Sequence, residues 1–174
     1  MALRRILRFP DERLRKPGKR VTIFDGELVK LVDDMAETMY SAPGVGLAAP
    51  QVDVSLRVFI IDIHAGDDDE PSDLRVFVNP EIVARDGEIT SEEGCLSFPD
   101  VREEVRRAER ITIRAQDTTG RPFTLEADGF LAVAIQHEYD HLDGVLLVDH
   151  LSLLRRRLVR RSMAKRAAAE ASAE

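Results

Sequence analysis

Gln136-His-Glu-Tyr-Asp-His-Leu-Asp-Gly144 contains the spacing His137-Glu138-x-x-His141. On an α-helix, residues i and i+4 lie one turn apart on one face, so the two imidazoles can converge on one ion. Glu138 follows the first histidine and can reach a water on that ion as a general base. The stretch also decides the fold. Just before it runs Phe130-Leu-Ala-Val-Ala-Ile135, apolar on every side, and a helix hydrophobic all round is a buried one. Asp128 or Gly129 opens this helix, and Gly144 sits where a C′ glycine closes it. Satisfied core histidines are the bland alternative. Against it, imidazoles and a carboxylate at the end of a buried helix need partners. Val133 and Ala134, one turn before the histidines, would floor an apolar pocket beside the ion.

The flanking segments supply the wrapping. Residues 27–41 place Leu28, Leu31, Val32, Met35 and Met39 at helical spacing, with Asp25 as N-cap and Pro43-Gly44 as the stop. Residues 57–63 form a strongly apolar strand buried on both faces for part of its length. Residues 74–78 and 81–85 read as strand, broken at Asn79-Pro80 because proline has no N–H to give. Further strands are expected at 101–105 and 109–116. The latter is joined through the turn Asp117-Thr-Thr-Gly120 to a partner at 122–126. Residues 145–149 read as a short strand, residues 11–16 as one helical turn, and Ser152 caps a last helix to about residue 171. The expected fold is α+β. Mostly antiparallel strands surround a central buried helix carrying H-E-x-x-H, with an N-terminal and a C-terminal helix.

Length and composition agree. A chain of 174 residues, 44% hydrophobic and 33% charged, suits one globular domain over residues 1–174. No apolar run approaches the roughly 18 residues that span a bilayer. The basic start Met1–Pro10 lacks an apolar signal core, and Asp11 and Glu12 argue against a transit peptide, so a cytoplasmic protein is expected. Residues 155–166 carry seven positive charges and no acid; removing them from a net charge of −7 leaves −14 on the rest. A basic tail on an acidic body points to a polyanion contact through the tail.

A catalytic metal site usually has three protein ligands and an open position. With Glu138 reserved as base, the lone cysteine, Cys95, stands out in Glu93-Gly-Cys-Leu-Ser-Phe-Pro99. A thiolate there would balance the ion's charge and be stabilised by it. A Cys-His-His set suits Zn²⁺ and tolerates Fe²⁺ or Ni²⁺. His64 reads as a solvated loop residue and His150 as a structural or surface residue. A third segment, Gly44-Val-Gly-Leu-Ala-Ala-Pro-Gln51, has little side-chain bulk and suits close approach of a backbone to a ligand. A tight turn from helix to strand is its plainer reading.

Taken together and in this order, the three segments resemble the signature motifs of bacterial peptide deformylases. The resemblance covers almost the whole chain. It implies removal of the formyl group from the N-terminal formyl-methionine of newly synthesised proteins, with release of formate. Carried over, it makes Cys95, His137 and His141 the metal ligands and Glu138 the general base and acid. Gln51 and the backbone N–H of Leu96 would stabilise the oxyanion. The substrate backbone would add as a strand beside Val45 and Gly46, its methionine entering a pocket near Val45, Val133, Ala134 and Phe130. Glu93 and Arg107 would form a supporting ion pair. The resemblance further implies one ion per chain, Fe²⁺ in the native enzyme, and ribosomal RNA as the polyanion met by residues 155–166. A monomer with no membrane contact is expected.

Two rival classes remain at this point. An H-E-x-x-H metallopeptidase would need a His or Glu third ligand downstream, where only His150 follows. A non-catalytic metal-binding protein would close its site with four ligands, and three are found. The basic helix also has a plainer role, packing through Leu151, Leu154, Leu158 and Val159.

Overall fold

The computed structural model describes residues 2–173; Met1 and Glu174, the ends of the expected domain, lie outside the described residues. Among the described residues the chain forms α1 (Gly26–Ser41), β1 (Gly46–Ala48), β2 (Val58–Ile61), β3 (Arg75–Asp86), β4 (Ile89–Cys95) and β5 (Phe98–Arg107). It continues with β6 (Arg110–Gln116), β7 (Pro122–Asp128), α2 (Gly129–Leu142) and α3 (Leu153–Ser172). Strands β1-β2-β3-β6-β7 make one sheet in that order, and β4-β5 make a second. Every pairing is antiparallel. The architecture is α+β, with antiparallel sheets and three helices.

The four residues of β2 are all buried, because the strand has a helix on each side. Val58 and Ile60 pack with Leu28, Leu31, Val32, Met35 and Met39 of α1. Phe59 and Ile61 pack with Ala132, Ile135 and Leu142 of α2. Period-2 alternation in the strand thus meets helical periodicity in two different helices. Asp25 caps α1 by accepting from the N–H groups of Glu27 and Leu28, and Gly44 N–H closes the far end on Met39 O at 2.8 Å.

Asp62, at the end of β2, fastens this end of α1 to the sheet. Its carboxylate accepts from Tyr40 Oη at 2.6 Å and from His64 N–H at 2.9 Å. Its own N–H donates to Val45 O at 2.8 Å, which sets the segment leading into β1.

The expected break at Asn79-Pro80 is a bulge inside one continuous strand, β3. Its register shifts between Val78 and Glu81, and Asn79 has φ +50°. The Asn79 amide covers for the missing ladder bond, accepting from Val21 N–H at 2.7 Å and donating to Gln116 Oε1 at 2.8 Å. The strand expected at 101–105 is longer and has a partner that periodicity did not reveal. Residues of β4 and β5 include adjacent charged pairs, Glu92-Glu93, Glu103-Glu104 and Arg106-Arg107, and few apolar side chains, so their pairing carries no hydrophobic signature. This hairpin carries Cys95.

Two further expectations are corrected. Residues 147–150 form a 3₁₀ turn rather than a strand. Leu146, Leu147 and Val148 are all buried in the cluster around Phe9 and Phe98, and a short apolar run does not tell strand from buried turn. Phe130, expected in the buried half of α2, is 57% exposed; it occupies the first turn, beyond the sheet's cover. In α3, Ser152 caps as expected, accepting from Arg155 N–H. The packing stripe, however, is Leu151, Val159 and Met163, while Leu154 and Leu158 are exposed. Residues 12–15 form the expected short turn, as a 3₁₀ helix. None of the helices is long and apolar enough to cross a membrane, among the described residues.

Gly144 closes α2 with φ +73°, and a Cβ there would lie 2.4 Å from Arg15 O. Backbone strain and a backbone clash add. Gly144→Ala is expected to cost about 3 kcal/mol or more, read as a lowered urea midpoint at unchanged slope. Burial alone would raise the Asp62 carboxyl, but the hydrogen bonds from Tyr40 and from backbone N–H groups hold it below the ordinary value. A depressed carboxyl contributes stability above its unfolded pKa of about 4 and loses it as pH falls through the folded value. Asp62→Asn is therefore expected to be most destabilising at neutral pH. Its gap from the unmodified protein should narrow below about pH 4, measured by urea unfolding across pH.

Candidate active site

Two elements bring the site's donors together. The β4-β5 hairpin ends β4 at Cys95, paired across the turn with Phe98. Helix α2 contributes His137, Glu138 and His141, all buried. One ligand atom each from Cys95, His137 and His141 lies within 4.8 Å of the others, and Cys95 Sγ is 3.5 Å from His141 Nε2. A tetrahedral ion at about 2.3 Å from sulfur and about 2.0–2.1 Å from nitrogen separates those two atoms by about 3.5 Å. Soft sulfur with two imidazoles is a donor set for a divalent transition metal. The residues present fit the ion.

Glu138 lies beside this set, its Oε1 3.7 Å from His137 Nε2. Its Oε2 is buried without a hydrogen-bond partner, a costly state unless chemistry uses that oxygen. Burial pushes its carboxyl up to about 7, where a proton can be both taken and given near neutrality. Burial likewise pushes His141 down to about 3, which keeps a neutral imidazole able to donate to a metal. At His137 burial opposes charge, but Cys95, Glu93 and Glu138 outweigh it and raise the pKa well above the ordinary value.

The Glu93–Arg107 pair is present and buried. Arg107 forks onto Glu93 with Nε and Nη2 at 2.6 and 2.9 Å, and Glu93 Oε1 is 2.9 Å from His137 Nδ1. That bond leaves His137 Nε2 free to face the other donors. Burial would raise the Glu93 carboxyl, yet the bonds from His137 and Arg107 bring it down to about 2. The third guanidinium arm, Nη1, donates to Asp140 at 2.9 Å.

Gln51 reaches the site from the 3₁₀ turn after β1. Its Oε1 accepts from Ala48 N–H at 2.9 Å, and its Nε2 lies 3.1 Å from Ser97 Oγ and 3.7 Å from Cys95 Sγ. One amide hydrogen is thus held by Ser97 and the other faces the cysteine. A cleft of about 1380 Å³ opens beside these groups and is lined by Val45, Gly46, Leu96, Val133 and Ala134, with Phe130 at its rim. Gln51 and His141 are each 1% exposed, set behind the cleft wall. Gly46 has no room for a side chain, since a Cβ would lie 3.0 Å from the Glu138 carboxyl carbon.

The structure thus brings every expected site residue to one place. The ring of His64, read as a loop residue, lies with Nδ1 3.2 Å from Pro71 O. Sequence reasoning passed over Ser97, Asp140 and the contact of His150 with Asp140 at 2.8 Å. Asp140 lies three residues after His137 on the same helix face, a spacing that could have drawn notice.

The fold and the cluster of Cys95, His137 and His141 fit a metal-dependent hydrolase of the H-E-x-x-H kind. The family model described as polypeptide deformylase matches residues 3–157. A peptide deformylase of Chromobacterium violaceum is 51% identical over 166 residues, 95% of this chain and 97% of that protein. Peptide deformylase 1 of Shewanella oneidensis is 47% identical over 171 residues, 98% and 99% of the two chains. The crystal structure of a peptide deformylase from Legionella pneumophila superposes with a TM-score of 0.90 at 49% identity, covering 98% of both chains. The chain belongs to the polypeptide deformylase family. Members are metal-dependent enzymes that remove the formyl group from nascent formyl-methionyl peptides.

Arg107 is the one cation between two carboxylates, its side chain 4% exposed. Breaking a buried pair from one side costs about 3–5 kcal/mol. Arg107→Met is expected to lose about that much stability in the metal-free protein, measured by chemical denaturation with chelator present.

Proposed function

We propose that deformylation in this chain is carried out by Cys95, His137 and His141 as ligands of one divalent ion, with Glu138 as general base and acid. The observation that carries this is the convergence of the three donors within 4.8 Å beside a buried carboxyl pushed up to about 7. The ion, Fe²⁺ in the native enzyme with Zn²⁺ or Ni²⁺ as substitutes, would acidify a water and polarise the formyl oxygen. Glu138 takes the proton from the attacking water and returns it to the leaving amine. The Gln51 amide hydrogen that faces Cys95 and the N–H of Leu96 would stabilise the oxyanion, each worth about 3 kcal/mol of barrier.

Substrate placement follows from the sheet. β1 is an edge strand, paired only with β2, so an extended peptide can add beside Val45 and Gly46. Its methionine would enter the cleft between Val45, Val133 and Ala134. Formyl has only hydrogen on its carbonyl carbon, so a tight cavity would exclude acetyl by sterics. In this reading α2 is the central helix of a single catalytic domain. Support comes from its packing against β1, β2, β6 and β7. The peptidase and closed-site readings lose their footing: His150 is engaged by Asp140, and three donors leave a position open.

The basic helix is proposed to meet ribosomal RNA, and the enzyme to work as a cytoplasmic monomer. Arg155 and Arg166 are clipped to Glu103 and Asp100. Arg157, Arg161 and Lys165 recur at i, i+4 and i+8, and no carboxylate pairs with them among the described residues. One cationic stripe of α3 therefore stays available to phosphates.

Glu138→Ala is expected to retain one ion per chain by anaerobic metal analysis and to lose formate release from a formyl-Met peptide. Full turnover with the metal retained would sink the assignment. Reversing charge at Arg157, Arg161 and Lys165 together is expected to abolish salt-sensitive co-sedimentation with ribosomes while leaving peptide turnover unchanged. Equal pelleting would end the ribosome proposal.

A further inference from the structure

The hydrogen bonds behind His137 do not stop at Arg107. Asp140 Oδ2, which accepts from Arg107 Nη1 at 2.9 Å, lies 2.8 Å from His150 Nε2. An ionised carboxylate only accepts, so the hydrogen of this bond sits on the imidazole. The His150 side chain is 28% exposed and that of Arg107 is 4% exposed. A line of bonds therefore runs from a partly solvated ring, through Asp140, Arg107 and Glu93, to His137 Nδ1.

We propose that His150 is a positioning residue for deformylation, acting through Asp140 and Arg107 on the ring of His137. The proposal rests on the reading of His137 as a metal ligand. The Asp140 side chain is 24% exposed, so one of its alternatives to Arg107 is water. Two donors on the same oxygen, arriving from β5 and from the 147–150 turn, remove that freedom. A pinned Asp140 holds Arg107 Nη1 in place, which leaves Nε and Nη2 no direction but Glu93. Glu93 in turn fixes the tautomer and orientation of His137, and partners of this kind raise a ligand's basicity and hold its angle. The line ties together the β4-β5 hairpin, whose ladder already contains Glu93 and Arg107, with α2 and the 147–150 turn, which pair with neither strand. The apolar run Leu146–Val148 anchors the turn in the core, so His150 is delivered to Asp140 by packing rather than by chance contact.

The test separates hydrogen bonding from shape. His150→Phe keeps a ring and removes the donor. His150→Gln places an amide nitrogen near the position of Nε2 and keeps the donor. Zn²⁺-loaded full-length proteins are mixed with excess chelator and the rate of Zn²⁺ loss is followed, with kcat and KM measured on a formyl-Met peptide. The expected result is Zn²⁺ loss about 10-fold faster in His150→Phe, with kcat lowered at unchanged KM. His150→Gln is expected within about 2-fold of the unmodified protein on the same scale. Unchanged Zn²⁺ loss in His150→Phe would overturn the proposal, and so would equal impairment of both variants, which would mean packing alone. Failure of the unmodified protein to bind Zn²⁺ would overturn the ligand assignment and this proposal with it. Normal Zn²⁺ binding with indifferent variants would overturn only this one.

Discussion

Helix α2 carries two imidazoles and a carboxylate into the interior, and the rest of the molecule is arranged around the cost of burying them. Isolated charges in an apolar medium are expensive enough to be neutralised or expelled. Most of the polar groups here are met by a specific counterpart. Glu93 holds His137, Arg107 holds Glu93, and Asp140 holds the remaining arm of Arg107. Gln51 is oriented at both ends, by Ala48 N–H and Ser97 Oγ. Glu138 Oε2 and His141 Nδ1 are buried with no partner. The unpaired carboxyl oxygen beside the candidate ligands is the atom that the proposed chemistry would use.

The same arrangement explains why the scaffold has two sheets. The five-stranded sheet lies between α1 and α2 and gives α2 a rigid bed of Phe59, Ile61 and Ile113. The β4-β5 hairpin is a separate two-stranded sheet that brings Cys95 to the histidines and provides both members of the Glu93–Arg107 pair. Behind it, Phe98 stacks on Phe9 with ring centroids 4.9 Å apart, and Met163 and Val159 of α3 join that cluster. The cysteine's position is thus fixed by packing far from the sheet that supports the histidines. The edge strand β1 is left unpaired on the cleft side, where a peptide can lie.

Much of this was legible in the residues, and the failures have physical causes. The apolar spacing of Leu28–Met39, the β-branched run at Val58–Ile61 and the Asp117–Gly120 turn each report directly on local geometry. The H-E-x-x-H spacing reports on a helix face. The β4-β5 hairpin left no such trace, because few of its residues are apolar and one side buries the charged Glu93 and Arg107 beside Val105. Leu146–Val148 read as strand because apolar runs report burial and not backbone form. In α3, helical spacing marks Leu154, Leu158 and Val159 for packing. Spacing shows that a face exists without showing its exact direction; Val159 meets the body as expected, Met163 joins it, and Leu154 and Leu158 face out. The site's ligands were readable, whereas Ser97, Asp140 and His150 became visible only once the chain was folded, since their roles depend on contacts between distant segments.

On the proposed mechanism, a cysteine from the hairpin and two histidines from α2 close on one ion. Cobalt substitution tests it most directly, because a thiolate bound to Co²⁺ gives a sulfur-to-metal charge-transfer absorption that imidazole alone does not. The account predicts one Co²⁺ per chain, a charge-transfer band in the unmodified protein, and loss of that band in Cys95→Ala. A Cys95→Ala protein that binds one Co²⁺ with an unchanged spectrum would contradict it.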